Sequence, residues 1–267
     1  MMEIVRLALE EDIGAGDITS RACVPEDRRA RGSFIAREPL VLAGTEVLSE
    51  LFDNLVVLRQ AGELCRAGEP IATVEGPARL LLERERVSLN FLQRLSGVAT
   101  LARQFADAVV GTGCRVLDTR KTTPGLRALE KRAAAAGGVT NHRMGLYDAI
   151  LIKNNHITAA GGVKAAVAQA LQPAHAGLRV EIEVRTKAEL REALAAGAKH
   201  LLLDNLTPAE AAAWIREIAG RATVELSGGV TLETVRAYAE TGADFVSAGA
   251  ITHSARAMDI SLRLELL

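Results

Sequence analysis

The chain of 267 residues carries 32 Lys and Arg against 33 Asp and Glu, so it has no global field of the kind that recruits nucleic acid or an anionic membrane. Its three cysteines, Cys23, Cys65 and Cys114, are far apart, odd in number and without a CxxC pair, which argues against a disulfide framework or a thiolate zinc site. "MMEIVRLALEEDIGAGD" does not read as a secretory leader and no apolar run of about 18 residues occurs, so a soluble, cytoplasmic protein is expected.

Residues 4–11 show helical spacing of Val5, Leu7, Ala8 and Leu9, and the loop "GAGDITS" follows, its glycines and Asp17 favouring a turn. Short apolar runs in "RGSFIARE", "LVLAG" and "LVVLRQAGELCRAGEPIATVEGPARLLL", broken by Gly and Pro, predict an antiparallel sheet. An amphipathic segment from 83 to about 110, with Val87, Leu89, Phe91, Leu92, Leu95, Val98, Leu101 and Phe105, is expected to cover that sheet. Residues 1–110 therefore read as a small α+β domain.

From Gly111 the rhythm changes. Six short buried runs, "RVLDTR", "AILIK", "RVEIEV", "KHLLLDN", "ATVELSGG" and "DFVSAGA", mostly alternate with alanine-rich helical stretches at 162–171, 187–196, 208–219 and 231–241. Thr186, Thr207 and Thr231 stand where N-caps belong. Alternation at this spacing predicts a parallel sheet with right-handed crossovers, most economically a (β/α) barrel of fewer than eight units over residues 111–258.

In such architectures chemistry collects at the C-terminal strand ends. Those ends offer Asp118, Thr119, Arg120 and Lys121, then Lys153 and Asn154, Glu181 and Glu183, Asp204 and Asn205, Glu225 with Ser227, Gly228 and Gly229, and Ser247 with Gly249. In "VEIEV" the strand period sends both glutamates to one side and Val180, Ile182 and Val184 to the other. With the apolar set facing helices, both carboxylates point inward and need partners, for which Lys121, Lys153 and Arg143 are candidates. Between Arg115 and His156 eight Lys and Arg face three acids, a local excess that asks for an anion. "SGGV" and "SAGAITHS" have the form of turns whose backbone N–H groups hold phosphate. A divalent ion such as Mg²⁺, bridging acids and a pyrophosphate, would reconcile inward carboxylates with an anionic ligand. The five histidines show no HxxxH or HxH spacing, so a site of His and Cys is not expected. On composition alone "RKTTPG" reads equally as a basic loop and "NHR" as a solvated turn.

The blocks "LEEDIGAGDITS", "RKTTPGLRALEKRAAAAGGVTNHRMGLYDAILIKNNH", "EIEV", "LLLDN", "ELSGG" and "VSAGAITHSARAMDISL" together resemble the quinolinate phosphoribosyltransferase family, in the same order over nearly the whole chain. The resemblance implies an N-terminal open α/β sandwich joined to a C-terminal incomplete (β/α) barrel, with residues 259–267 returning to the sandwich. It also implies homodimers, and in some members hexamers, in which one subunit's sandwich covers the partner's barrel mouth. The implied reaction joins quinolinate to 5-phosphoribosyl-1-pyrophosphate with Mg²⁺, giving nicotinate mononucleotide, CO₂ and pyrophosphate. By likeness, Arg120, Lys121, His142, Arg143 and Lys153 bind quinolinate, and Arg86 matches the arginine lent by the partner subunit. Glu183 and Asp204 match the acids facing ribose and metal, and Ser227, Gly228, Gly229 and Gly249 the 5-phosphate grip. Catalysis falls to Lys121, Lys153, Glu183 and Asp204. Alternatives are a related transferase of altered substrate, either a molybdate-transport-associated paralogue or one using nicotinate, and a non-catalytic barrel that binds a phosphorylated ligand.

Overall fold

A computed structural model describes residues 2–267. Among them no helix is long and apolar enough to cross a membrane. The first five strands are β1 (Arg29–Ala36), β2 (Leu40–Val41), β3 (Leu55–Val57), β4 (Leu64–Cys65) and β5 (Pro70–Pro77). β1, β3 and β5 pair antiparallel, as the Gly- and Pro-broken runs predict. The "LVLAG" run contributes only the two-residue β2, paired with β4. The covering segment is a helix of 31 residues, Ala78–Ala108, which buries Val87, Leu89, Phe91, Leu92, Leu95, Val98 and Phe105.

Six strands follow: β6 (Arg115–Leu117), β7 (Ile150–Ile152), β8 (Val180–Val184), β9 (His200–Asp204), β10 (Thr223–Ser227) and β11 (Phe245–Ser247). They form one parallel sheet in the order β6-β11-β10-β9-β8-β7, and every one corresponds to a run singled out in the sequence. Thr140 adds a parallel bridge to Leu117 beside β6. The last strand, β12 (Ile260–Leu266), leaves this sheet and pairs antiparallel with β1 over Ala30–Ala36.

The chain divides into two compact units. One comprises the chain up to Arg103 with Thr123–Gly138 and Ser254–Leu267, and the other Gln104–Thr122 with Val139–His253. Helix Arg127–Ala136 groups with the first unit and not with the parallel sheet. The cause is local. Glu130, fully buried, accepts from Arg94 Nη2 at 2.8 Å and from Thr123 Oγ1 at 2.7 Å. Gly137 meanwhile lies so close to the helix that an added Cβ would stand 2.3 Å from the Ala99 carbonyl oxygen.

Two further expectations change. Asp17 does more than turn the chain: its carboxylate accepts the Ser20 N–H at 2.9 Å and caps a short helix, Ile18–Cys23. The helix expected over 231–241 shrinks to Val235–Ala239, because Thr234 Oγ1 accepts the Thr231 N–H and closes a turn ahead of it. Thr186 and Thr207 do cap their helices, the latter with a reciprocal Thr207–Glu210 pair.

Candidate active site

The polar residues meet on the concave face of the parallel sheet. β8 and β10 are separated by β9, roughly 10 Å apart in a flat sheet, yet ligating atoms of Glu181, Glu225 and His142 lie within 4.8 Å of one another. A sheet must curl for that to happen, which is the geometry of an incomplete barrel.

Asp118, wholly buried at the end of β6, starts the assembly. Its carboxylate accepts Asn141 Nδ2 at 2.6 Å and the His142 backbone N–H at 2.8 Å, fixing residues 141–142 against the strand end. The His142 ring then reaches the two acids, with Nε2 at 3.4 Å from Glu181 Oε2 and 3.4 Å from Glu225 Oε2. Burial pushes this imidazole down, and the Glu181 and Glu225 carboxylates more than offset that, holding it up at about 9. The Arg143 N–H donates to Nδ1 at 2.7 Å and works against a second ring proton. Arg143 sends Nη1 to the Ala149 carbonyl at 3.2 Å, and its guanidinium is held below its ordinary value by burial and by neighbouring Arg120. The two arginines are therefore near neighbours. Adjacent cations gain most from a ligand with more than one negative charge.

The second group is acidic. Lys153 Nζ meets Glu183 Oε2 at 3.1 Å, and Asp204 is held above its ordinary value by burial and by the Glu183 charge. Of the partners expected for the inward glutamates, Lys153 thus takes Glu183. Glu181 goes instead to Arg179, whose Nη2 is 3.1 Å away, and to His142. Two carboxylates crowded at neighbouring strand ends offer oxygen ligands that would suit a hard divalent cation, and such an ion would relieve the repulsion that lifts Asp204.

The glycine turns close the same rim. Gly228 sits at φ 104°, and a Cβ there would lie 2.2 Å from Asn205 Oδ1. Asn205, itself at φ 57°, donates its N–H to the Ser227 carbonyl at 2.8 Å, so the β9 and β10 ends are tied together with backbone exposed beside Ser227 and Gly229. At the next strand end, a Cβ on Gly249 would lie 2.8 Å from the Lys121 Cδ. The Thr252 hydroxyl donates to the Lys121 carbonyl at 2.8 Å. Lys121 is thereby stationed against Gly249 with its side chain exposed.

Arg86 lies exposed on helix Ala78–Ala108 in the first unit. The remaining predicted site residues all belong to the second. Glu225 and Arg179 had no assigned role in the sequence. Alternation in "VELS" would have aimed Glu225 inward with Val224 and Leu226 outward, but nothing local names His142 as its neighbour. Spacing of histidines likewise cannot reveal a group of one His and two Glu assembled from residues 142, 181 and 225.

Fold and rim together define a parallel α/β enzyme whose strand ends carry adjacent arginines, an acid pair and glycine turns. Models of the N-terminal and C-terminal domains of quinolinate phosphoribosyl transferase match residues 17–96 and 98–263. The chain belongs to that family. It is 41% identical over 262 residues to a probable carboxylating nicotinate-nucleotide pyrophosphorylase of Bacillus subtilis, covering 96% of this chain and 90% of that one. With the carboxylating nicotinate-nucleotide pyrophosphorylase of Mycobacterium leprae it shares 43% over 274 residues, 98% and 96% of the two chains. The crystal structure of NadC from Streptococcus pyogenes superimposes with a TM-score of 0.93 at 37% identity, covering 99% and 96%.

Proposed function

We propose that the chain transfers a phosphoribosyl group from 5-phosphoribosyl-1-pyrophosphate to quinolinate with decarboxylation, forming nicotinate mononucleotide for NAD biosynthesis. The observation that carries this reading is the whole-length family match falling on a rim where Arg120 and Arg143 adjoin and Glu183 and Asp204 crowd together. Quinolinate bears two adjacent carboxylates that repel each other. At an effective dielectric of about 20, each cation about 4 Å from a carboxylate contributes about 4 kcal/mol before desolvation. Arg120, Arg143, Lys121 and Lys153 together can strip such a dianion of water and hold it. Arg86 of a second subunit would complete the set in a cytoplasmic homodimer.

The pyridine nitrogen has its own lone pair, so no general base is required for its attack on the anomeric carbon. Holding the two partners in line is the chain's first contribution. As the anomeric C–O bond breaks and pyrophosphate departs with the electron pair, positive charge grows on the ribose. Glu183 and Asp204 face that charge and stabilise it electrostatically. The ribosylated, cationic ring nitrogen then accepts the electrons left at C2 when the carboxylate departs as CO₂, and Lys121 or Lys153 is placed to protonate that carbon. Mg²⁺ held by Glu183 and Asp204 would neutralise phosphate oxygens of the donor. Ser227, Gly228, Gly229 and Gly249 suit the 5-phosphate. The test is nicotinate mononucleotide formation from quinolinate and the pyrophosphate donor with Mg²⁺, run beside nicotinate as acceptor and beside a chelator. Turnover of nicotinate but not quinolinate would overturn the substrate assignment.

A further inference from the structure

The first unit has a concave place of its own, where β12 pairs with β1. The register sets Ser33 opposite Arg263 and Ile35 opposite Ser261, and the Arg37 N–H carries the ladder further by donating to the Asp259 carbonyl at 2.9 Å. Alternate residues of a strand share a face. Phe34 and Ala36 turn to the core and are fully buried, so Ile35, Arg37, Ser261 and Arg263 stand together on the opposite side of the sheet. A cavity of about 300 Å³ lies there, lined by those residues and Leu262, a volume at the lower end of small-molecule sites. Its charge is one-sided. Arg31, on the same face, donates to Glu75 at 2.7 Å, and Arg256 donates to Glu38 at 2.7 Å. The side chains of Arg37 and Arg263 have no such partner among the described residues, and no acid lines the cavity. The acids nearest in register, Asp259 across from Arg37 and Glu265 two places past Arg263, are exposed and outside the lining.

The step from Asp259, opposite Arg37, to Arg263 is roughly 13 Å along the sheet at about 3.3 Å per residue, so the two guanidiniums enter the cavity from its two ends. Between them Ile35 offers an apolar surface and Ser261 a hydroxyl. Two unpaired cations facing one volume repel each other, and a ligand that brings negative charge to each relieves both at once. We propose that this cavity binds an elongated small metabolite with an oxyanionic group at each end, of the kind a sugar bisphosphate carries, Arg37 taking one end and Arg263 the other. The planar guanidinium suits such groups because it donates two parallel N–H bonds to one oxyanion. The carbon skeleton lies over Ile35, and Ser261 meets its hydroxyls. None of these residues belongs to the site of phosphoribosyl transfer, and the proposal does not depend on that reaction.

The experiment is calorimetric titration of the full chain with fructose 1,6-bisphosphate as a two-ended probe and inorganic phosphate as a one-ended one. The bisphosphate should bind at least about tenfold more tightly than phosphate, and Arg37→Ala and Arg263→Ala should each remove that advantage. Gly228→Ala, which alters the glycine turn of the parallel sheet, should leave it in place. Turnover of quinolinate by R37A and R263A should stay within about twofold of wild type. Both arginines are exposed, so the variants should melt with the wild type; should an alanine variant melt early, Arg37→Gln or Arg263→Gln carries the same comparison. Equal affinity for the two probes, or affinity indifferent to both arginines, would overturn the proposal. So would binding lost in G228A and kept in R37A and R263A, which places the anion at the glycine turn. Absence of binding by either probe would also overturn it and leave Arg263 as a charged guard on the edge strand β12. A bisphosphate site that persists in a protein unable to turn over quinolinate upholds the cavity and removes the activity reading alone.

Discussion

Replacing Lys153 with Met isolates the link between the acid pair and its counter-charge. At 3.1 Å from Glu183, an effective dielectric of about 20 gives a gross attraction of about 5 kcal/mol. The Lys153 side chain is 49% exposed, which discounts that figure heavily, but Glu183 is only 9% exposed and is left facing Asp204. The expected loss lies between that of a surface pair and a broken buried one, about 2 kcal/mol, or a Tm drop of about 4–8 °C for a chain of this size. The pH dependence follows from Asp204, whose carboxyl is already raised by burial and Glu183 and is lowered by Lys153. Without Lys153 the native carboxyl rises further above its unfolded value, so the native state holds a proton that the unfolded chain has released. Stability then falls as pH climbs through that window. Thermal melts across about pH 4–8 at low salt should show the deficit of K153M opening with pH and narrowing when salt is added. Equal deficits at both ends of the range would refute the electrostatic account and leave only lost packing.

Lys121→Ala should lower turnover about 100-fold or more with an unchanged circular dichroism spectrum, since the side chain is exposed; near-normal activity would remove it from the mechanism. Gly228→Ala forces a Cβ onto Asn205 at φ 104°, at a strain of about 1–3 kcal/mol. It should raise the KM for the phosphoribosyl donor well above any change in that for quinolinate, and equal changes would detach the turn from the phosphate. If Arg86 completes a neighbouring subunit's site, mixing inactive Arg86→Ala and Lys121→Ala subunits should restore about a quarter of wild-type sites. No recovery after verified subunit exchange would place Arg86 outside the shared site.

The parallel half was legible because strands buried on both faces announce themselves as short apolar runs, and all six from Arg115–Leu117 to Phe245–Ser247 do so. Strand ends were legible too, since a charge closing an apolar run has only the rim to occupy, as Lys153 and Asp204 do. Helix ends read well where a threonine side chain accepts a backbone N–H of the first turn, and poorly at Thr231, whose own N–H donates to Thr234 Oγ1 three residues on. What stayed hidden depends on tertiary contact. Helix Arg127–Ala136 looks like the first crossover of the barrel, and only the buried Glu130–Arg94 pair assigns it to the other unit.

Glu181 and Glu183 show why site assignment needs the curl of the sheet and not its pattern alone. Two positions apart on β8, both point inward, and period 2 treats them as equals. Glu183, nearer the rim, meets Lys153 and crowds Asp204, where a charge can act on something that enters from solvent. Glu181, one step deeper, is met by Arg179, His142 and Glu225 and is closed off from the rim. Depth below the rim therefore divides the two acids, the upper one beside Lys153 and Asp204 and the lower one among Arg179, His142 and Glu225. On the reaction proposed above, that separation of an outer acid pair from an inner one would set negative charge beside the ribose while leaving the acceptor's seat positive.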